Sequence, residues 1–306
     1  MRTLGARCAV LTGCLAGLLA LFFLFVRPWY RGWGADQDGL RNAHLPGDTL
    51  LWRGTPHETR AVLIHAPAEQ VWPWIAQIGQ DRGGFYSYEI LEDLAGCEMT
   101  NLDHLDPSLQ RWKAGDKLWM YPPRKAGGVG QAPLALHSPG HALVFYTRRP
   151  TTPLTAPPDG TWAFIVEPAD RETSHFIMRA TAQGRVGLLG TAFERGVFEP
   201  IHFAMERKMM EGVKARAEGK SVSKTRDDLQ VLLWTITFGL FVASAVLVIR
   251  GRAWRWHAFT FTASGVLFGV LTLVQPSVFI GAPLVMALAL ATGPGRPLAQ
   301  RLRIRG

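Results

Sequence analysis

The chain has 306 residues, 48% of them hydrophobic, and carries 33 basic against 24 acidic side chains for a formal charge of +9. A pI near 9.9 would ordinarily raise nucleic-acid binding. Here the excess consists of Arg2 and Arg7 at one end and Arg250, Arg252, Arg255, Arg296, Arg301, Arg303 and Arg305 at the other, and neither segment holds an acid. Residues 27–228 are formally neutral, so nucleic acid is excluded as a partner and the arginines are assigned to membrane topology and anionic headgroups.

In chain order, the first element is an uncharged run from Ala9 to Val26. At 1.5 Å per residue it reaches about 27 Å, close to a hydrocarbon core of roughly 30 Å. No small-x-small site follows Val26, so an uncleaved anchor is expected over residues 1–30. Three further apolar runs, Val231–Ile249, Ala258–Val274 and Val278–Ala291, close the chain within residues 228–306. Two or three of these are expected to span, giving a multi-pass protein of the cell membrane. Arginine-rich short loops stay cytoplasmic, which puts the intervening domain, residues 31–227, on the non-cytoplasmic side.

Within that domain, residues 31–57 read as a connector rich in Gly, Asp and Pro, lying against the domain or the headgroups. A strand is predicted from Thr59 to His65, with Arg60, Val62 and Ile64 on one face. Pro67 and Glu69 open a helix whose Val71, Trp74, Ile75 and Ile78 share one apolar side, and Gly79 ends it. A second helix is predicted from Tyr86 to Leu94. Strands are expected over Lys117–Tyr121, Leu134–His137, Ala142–Thr147, Thr161–Glu167 and Ser174–Thr181, with an irregular proline-rich loop at 150–160. A long helix near Pro200–Lys220 puts Ile201, Met205, Met209, Gly212 and Val213 on one side and Arg207, Lys214 and Glu218 on the other. That order predicts an α+β domain with a curved sheet packed on the last helix.

The stretch Ala66-Pro67 through Val71-Trp72-Pro73-Trp74, then Gln77-Ile78-Gly79-Gln80-Asp81-Arg82-Gly83-Gly84-Phe85-Tyr86-Ser87-Tyr88, resembles a bacterial branch of the SRPBCC (START-like, polyketide-cyclase-like) superfamily. So do Leu91-Glu92-Asp93-Leu94, the turn from Gln110 to Gly115-Asp116, and Glu199-Pro200-Ile201 through Met205-Glu206-Arg207-Lys208-Met209. The resemblance covers roughly residues 55–220. It implies a helix-grip fold, an antiparallel sheet around a long C-terminal helix with a cavity between them, and binding of a lipid or other small hydrophobic molecule.

An apolar pocket with a few orienting polar groups is the arrangement such a ligand needs. The residues suited to it are Gln77, Gln80, Asp81, Arg82, Tyr86 and Tyr88 after the first helix, Trp119, Tyr121, Trp162 and Phe164 on strands, and His202 and Met205 on the long helix. Turn chemistry and core packing account for the same residue types. Glu89, Glu92 and Asp93 read as a solvated helix face. No cofactor is called for, and His137 and His141 flank a turn rather than forming a metal-binding face. A cyclase or dehydratase using Asp81, Tyr86 or His202 for proton transfer, and a module binding another membrane protein, are the competing functional readings.

Overall fold

A computed structural model describes residues 2–36, 39–51, 55–125, 130–148, 155–182 and 187–293. The chain divides into two compact units, Met1–Pro28 with Thr225–Gly306, and Trp29–Lys224.

The first unit is helical. Helix α1 (Arg2–Leu21) runs through a π-helical turn at Phe22–Val26 into a final turn, α2 (Arg27–Arg31). After the second unit come α7 (Lys224–Arg250), α8 (Trp254–Gly269, extended by a π-helical turn at Val270–Val274) and α9 (Val278–Thr292). Three helices are long and apolar enough to cross a membrane: Leu4–Arg31, Lys224–Arg250 and Trp254–Val274. Their mutual packing uses small residues and internal hydrogen bonds, as expected where water cannot satisfy polar groups. A Cβ on Gly265 would lie 2.7 Å from Leu18, so α1 and α8 approach at a glycine. Ser244 and Thr260 pair their hydroxyls at 3.1 Å between α7 and α8.

The second unit is α+β, with a six-stranded antiparallel sheet in the order β1-β6-β5-β4-β3-β2. Its strands are β1 (His57–Ile64), β2 (Lys117–Trp119), β3 (Gln131–Ser138), β4 (Ala142–Thr147), β5 (Gly160–Pro168) and β6 (Ser174–Ala182). Between β1 and β2 lie α3 (Ala68–Ala76) and the short α4 (Glu89–Leu94). After β6, α5 (Leu188–Phe193) passes through a π-helical turn at Glu194–Phe198 into the long α6 (Glu199–Ala217).

Both faces of this sheet are covered, and the aromatic strand residues share one of them. Phe145, Trp162, Phe164 and Phe176, with Val62 and Met178, point to the face that carries α3 and α6. Small and branched ones, Ala61, Ala142, Val144, Ala163, Ile165 and Ile177, point to the other, where the connector lays down Ala35, Leu40 and Leu45. The connector expected at 31–57 therefore forms a third layer. Arg179 of β6 fastens it, donating to the carbonyls of Leu40, Arg41 and Ala43 and pairing with Asp48 at 2.6 Å.

Two predicted elements change. The helix expected from Tyr86 begins only at Glu89, because Tyr86 holds a positive φ of 57° that no helix accommodates. The inward face of α6 is Phe203, Ala204, Glu206, Met209, Met210, Gly212 and Val213, while Ile201 points outward. The proline-rich loop lies partly outside the described residues, at 149–154.

Candidate functional site

The turn after α3 is a knot of backbone contacts. Gly83 N–H donates to the Gln77 carbonyl at 2.7 Å, and Gly79 and Gly84 exchange bonds across the turn. Gln77 is buried; its Nε2 donates to the His104 carbonyl and its Oε1 accepts from Asp106 N–H, each at 3.0 Å. Gln80 N–H donates to the Trp119 carbonyl, and its side chain to the Glu98 carbonyl. The Arg82 guanidinium lies 3.8 Å over the Trp112 ring, donates to the Leu109 and Arg111 carbonyls, and stands 3.7 Å from Asp116. Tyr86 Oη donates to the Trp74 carbonyl at 3.1 Å, and burial pushes its pKa above the usual phenol value. Tyr88 is fully buried beneath the Lys208 ammonium, and Asp81 is exposed. The polar groups of Gln77, Gln80, Arg82 and Tyr86 are thus engaged inside the unit, tying α3 to β2 and to the 98–111 segment.

Trp119 and Tyr121 sit half-buried at the β2 edge. Tyr121 lies beside the Cys97 thiol, whose pKa is raised by burial first and by Glu92 second. Cys97 and Tyr121 border the same core cluster as the strand aromatics Trp162 and Phe164, with no ring contact to either among the described residues.

Those two belong to a file of rings that leads from the interior to the surface. Phe145 and Phe176 flank Phe164, which meets Trp162 at 4.6 Å. Trp162 stacks on Phe85 at 6.1 Å and meets His202 at 5.8 Å, and His202 stacks on Phe198 at 5.4 Å. Burial falls along the file, from fully buried Phe164 to 38% exposure of the His202 side chain and 55% of Phe198. Beside it lies the ion pair between Arg60 of β1 and Glu206 of α6, with side chains 4% and 3% exposed. Trp162 Nε1 donates to Glu206 at 3.0 Å, and His202 Nδ1 stands 3.6 Å from the same carboxylate. Arg60 also donates to the Tyr30 carbonyl and to Glu58, and lies 5.2 Å over the Phe203 ring. The His202 pKa is lowered by desolvation first and by Arg60 second. With 38% of the side chain open to water, that desolvation is partial. Met205, half-buried on the same turn of α6, accepts a hydrogen bond at its carbonyl from Ser87 at 2.9 Å.

Of the residues singled out in the sequence, Trp162, Phe164 and His202 come together here, while Met205, on the same turn of α6, meets Ser87. The partners that sequence reasoning missed are Phe85, Phe198, Arg60 and Glu206. A signal for Arg60 existed: it alternates with Val62 and Ile64 on the inward face, where a charge requires a partner. Removing one member of such a pair costs roughly 3–5 kcal/mol, since the other is left buried and uncompensated. Asp81, Tyr86 and His202, which a proton-transferring enzyme would use, occupy three different neighbourhoods. Among the described residues no group of three or more His, Cys, Asp or Glu could hold a metal ion.

No family model matches this chain, and no curated protein matches it. Several solved structures are similar to it in part. A solution structure of a Thermobifida fusca protein is 14% identical, covering 54% of this chain and 97% of its own, with a TM-score of 0.34. A crystal structure of a Mesorhizobium loti protein is 14% identical over 54% of this chain and 100% of its own, with a TM-score of 0.30. A Bordetella parapertussis protein solved in solution is 13% identical over 59% and 82%, with a TM-score of 0.29. Likenesses this slight carry no functional argument.

Proposed function

We propose that the sheet unit is a membrane-tethered helix-grip domain, START-like in the SRPBCC sense, that binds a lipid or other small hydrophobic molecule at the aromatic file. The observation that carries this reading is the file itself: Phe85, Trp162, His202 and Phe198 in unbroken ring contact from the core to the surface, bordered by one buried ion pair. Sites for small apolar molecules combine aromatic walls with a small number of fixed polar groups. Glu206, already hydrogen-bonded to Trp162 and close to His202, supplies such a polar end for a hydroxyl or headgroup. His202 and Phe198, both exposed, form the outer end of the file, where a ligand would enter. Support for the helix grip comes from the strand order, with two helices after β1 and the long α6 after β6.

Tethering keeps the site at a high effective concentration of membrane-dissolved ligand. The protein is multi-pass in this reading, with Val278–Thr292 as a fourth, shorter span of about 22 Å, and with the sheet unit on the non-cytoplasmic side. The test is photolabelling of the full chain in lipid nanodiscs with a fatty acid carrying a diazirine, followed by peptide mapping. Adducts are expected on the peptides that carry Phe85, Trp162 and His202, and competition by unlabelled fatty acid should remove them. Adducts confined to the apolar helices would overturn the reading.

A further inference from the structure

The helical segment that leads into α6 exposes a row of large apolar side chains. Leu189, Phe193, Val197 and Ile201 recur at intervals of four, and Leu188 and Phe198 flank them. All are exposed, Leu188 and Leu189 to more than 85%. The π-helical turn at Glu194–Phe198 lengthens one turn of the helix and so keeps this four-residue row on one side. Among residues 187–201, which are all described, Arg195 is the charged residue on the exposed side, while Glu194 and Glu199 are half-buried and Glu199 accepts a hydrogen bond from Tyr30 Oη at 3.1 Å.

We infer that this face, from Leu188 to Ile201, inserts into the interfacial layer of the lipid bilayer, with Arg195 at the level of anionic headgroups. Two facts select the bilayer over a protein partner. The exposed charge along the segment is basic, which complements anionic lipid, while its two acids are half-buried. In addition, the unit is bonded at both ends to helices able to cross a membrane, and Tyr30, in the last turn of the first of them, donates to Glu199 in this segment. Large apolar side chains on a helix with a basic edge are the composition of in-plane interfacial helices. The inference does not rest on the interior site, because the row lies outside the ring file except at Phe198.

The experiment reads depth in the full chain. Phe193→Cys and, separately, Leu189→Cys are introduced with Cys8 and Cys14 replaced by serine, labelled with an environment-sensitive NBD dye, and reconstituted in phosphatidylcholine–phosphatidylglycerol vesicles. Labels at both positions should emit at short wavelength and be quenched by lipid-borne spin labels at least threefold more than a label at Glu172→Cys in the exposed β5–β6 hairpin. Arg195→Glu should reduce that quenching in anionic vesicles and leave it unchanged in neutral ones. Water-like emission at 189 and 193 would overturn the inference. So would short-wavelength emission without lipid quenching, which means that protein rather than lipid covers the row. The photolabelling outcome at Phe85 and Trp162 is independent of either result.

Discussion

Glu92 is partly withdrawn from water in α4, and burial first, then the charges of Glu89 and Asp93, push its pKa from 4.5 up to about 8. The folded unit therefore holds a proton that the unfolded chain releases. That contribution to stability is whole below the unfolded value near 4.5 and is lost as pH rises through about 8. Glu92→Gln keeps the neutral shape at every pH. Measured by thermal unfolding of the full chain in detergent, it should match the parent at pH 5 and exceed it at pH 9 by on the order of 2 kcal/mol. Equal pH dependence in both proteins would show that the carboxyl is already ionised and solvated. The expectation of a solvated acidic face on this helix is corrected for Glu89 too, which accepts from Asn101 N–H and pairs with Lys224. Asp93 is exposed as expected, and it also accepts from Met99 N–H. Spacing along six residues does not reveal this, because the donors come from a segment that folds back on α4. Arg60 is different: its place in the alternation of β1 already set it inward, and only its partner was hidden.

At the scale of elements, α6 approaches the turn after α3 at Gly212. A Cβ there would lie 2.3 Å from the Tyr86 carbonyl oxygen and 2.9 Å from the Tyr86 Cβ. Backbone oxygen cannot move aside as a flexible side chain does, so Gly212→Ala must shift the helix or the turn. It should destabilise the sheet unit by about 2 kcal/mol or more, read as a lower unfolding midpoint by near-ultraviolet circular dichroism. An unchanged midpoint would mean that the helix and turn separate freely. The strands were legible to within a few residues, and Ala142–Thr147 coincides with β4, because dense β-branched and aromatic runs bounded by turns signal strands directly. Helix α5 and its π-helical turn were not foreseen, since their apolar residues face outward and follow no core-directed period. The same holds for Tyr86, whose left-handed backbone is stabilised by its Trp74 hydrogen bond and by Arg216, 4.6 Å over its ring, and not by its immediate neighbours in sequence.

For the whole molecule, the arginine distribution makes a prediction about sidedness. Glu172→Cys lies in an exposed hairpin, whereas the native Cys97 is buried and Cys8 and Cys14 lie in α1. A membrane-impermeant maleimide should label Glu172→Cys in intact cells. Labelling that requires broken membranes would reverse the orientation and place the sheet unit in the cytoplasm. Three helices able to span, and the α+β character of the part between them, were readable from the chain alone. Apolar length and charge segregation are one-dimensional properties, and strand and helix periods repeat over a few residues. The tertiary structure decided which polar groups meet: Arg60 with Glu206 across 146 positions of sequence, Trp162 Nε1 with that same carboxylate, and Arg179 with a connector more than 130 residues away. Such pairings depend on how a sheet and a helix face each other after folding, and no local period encodes them.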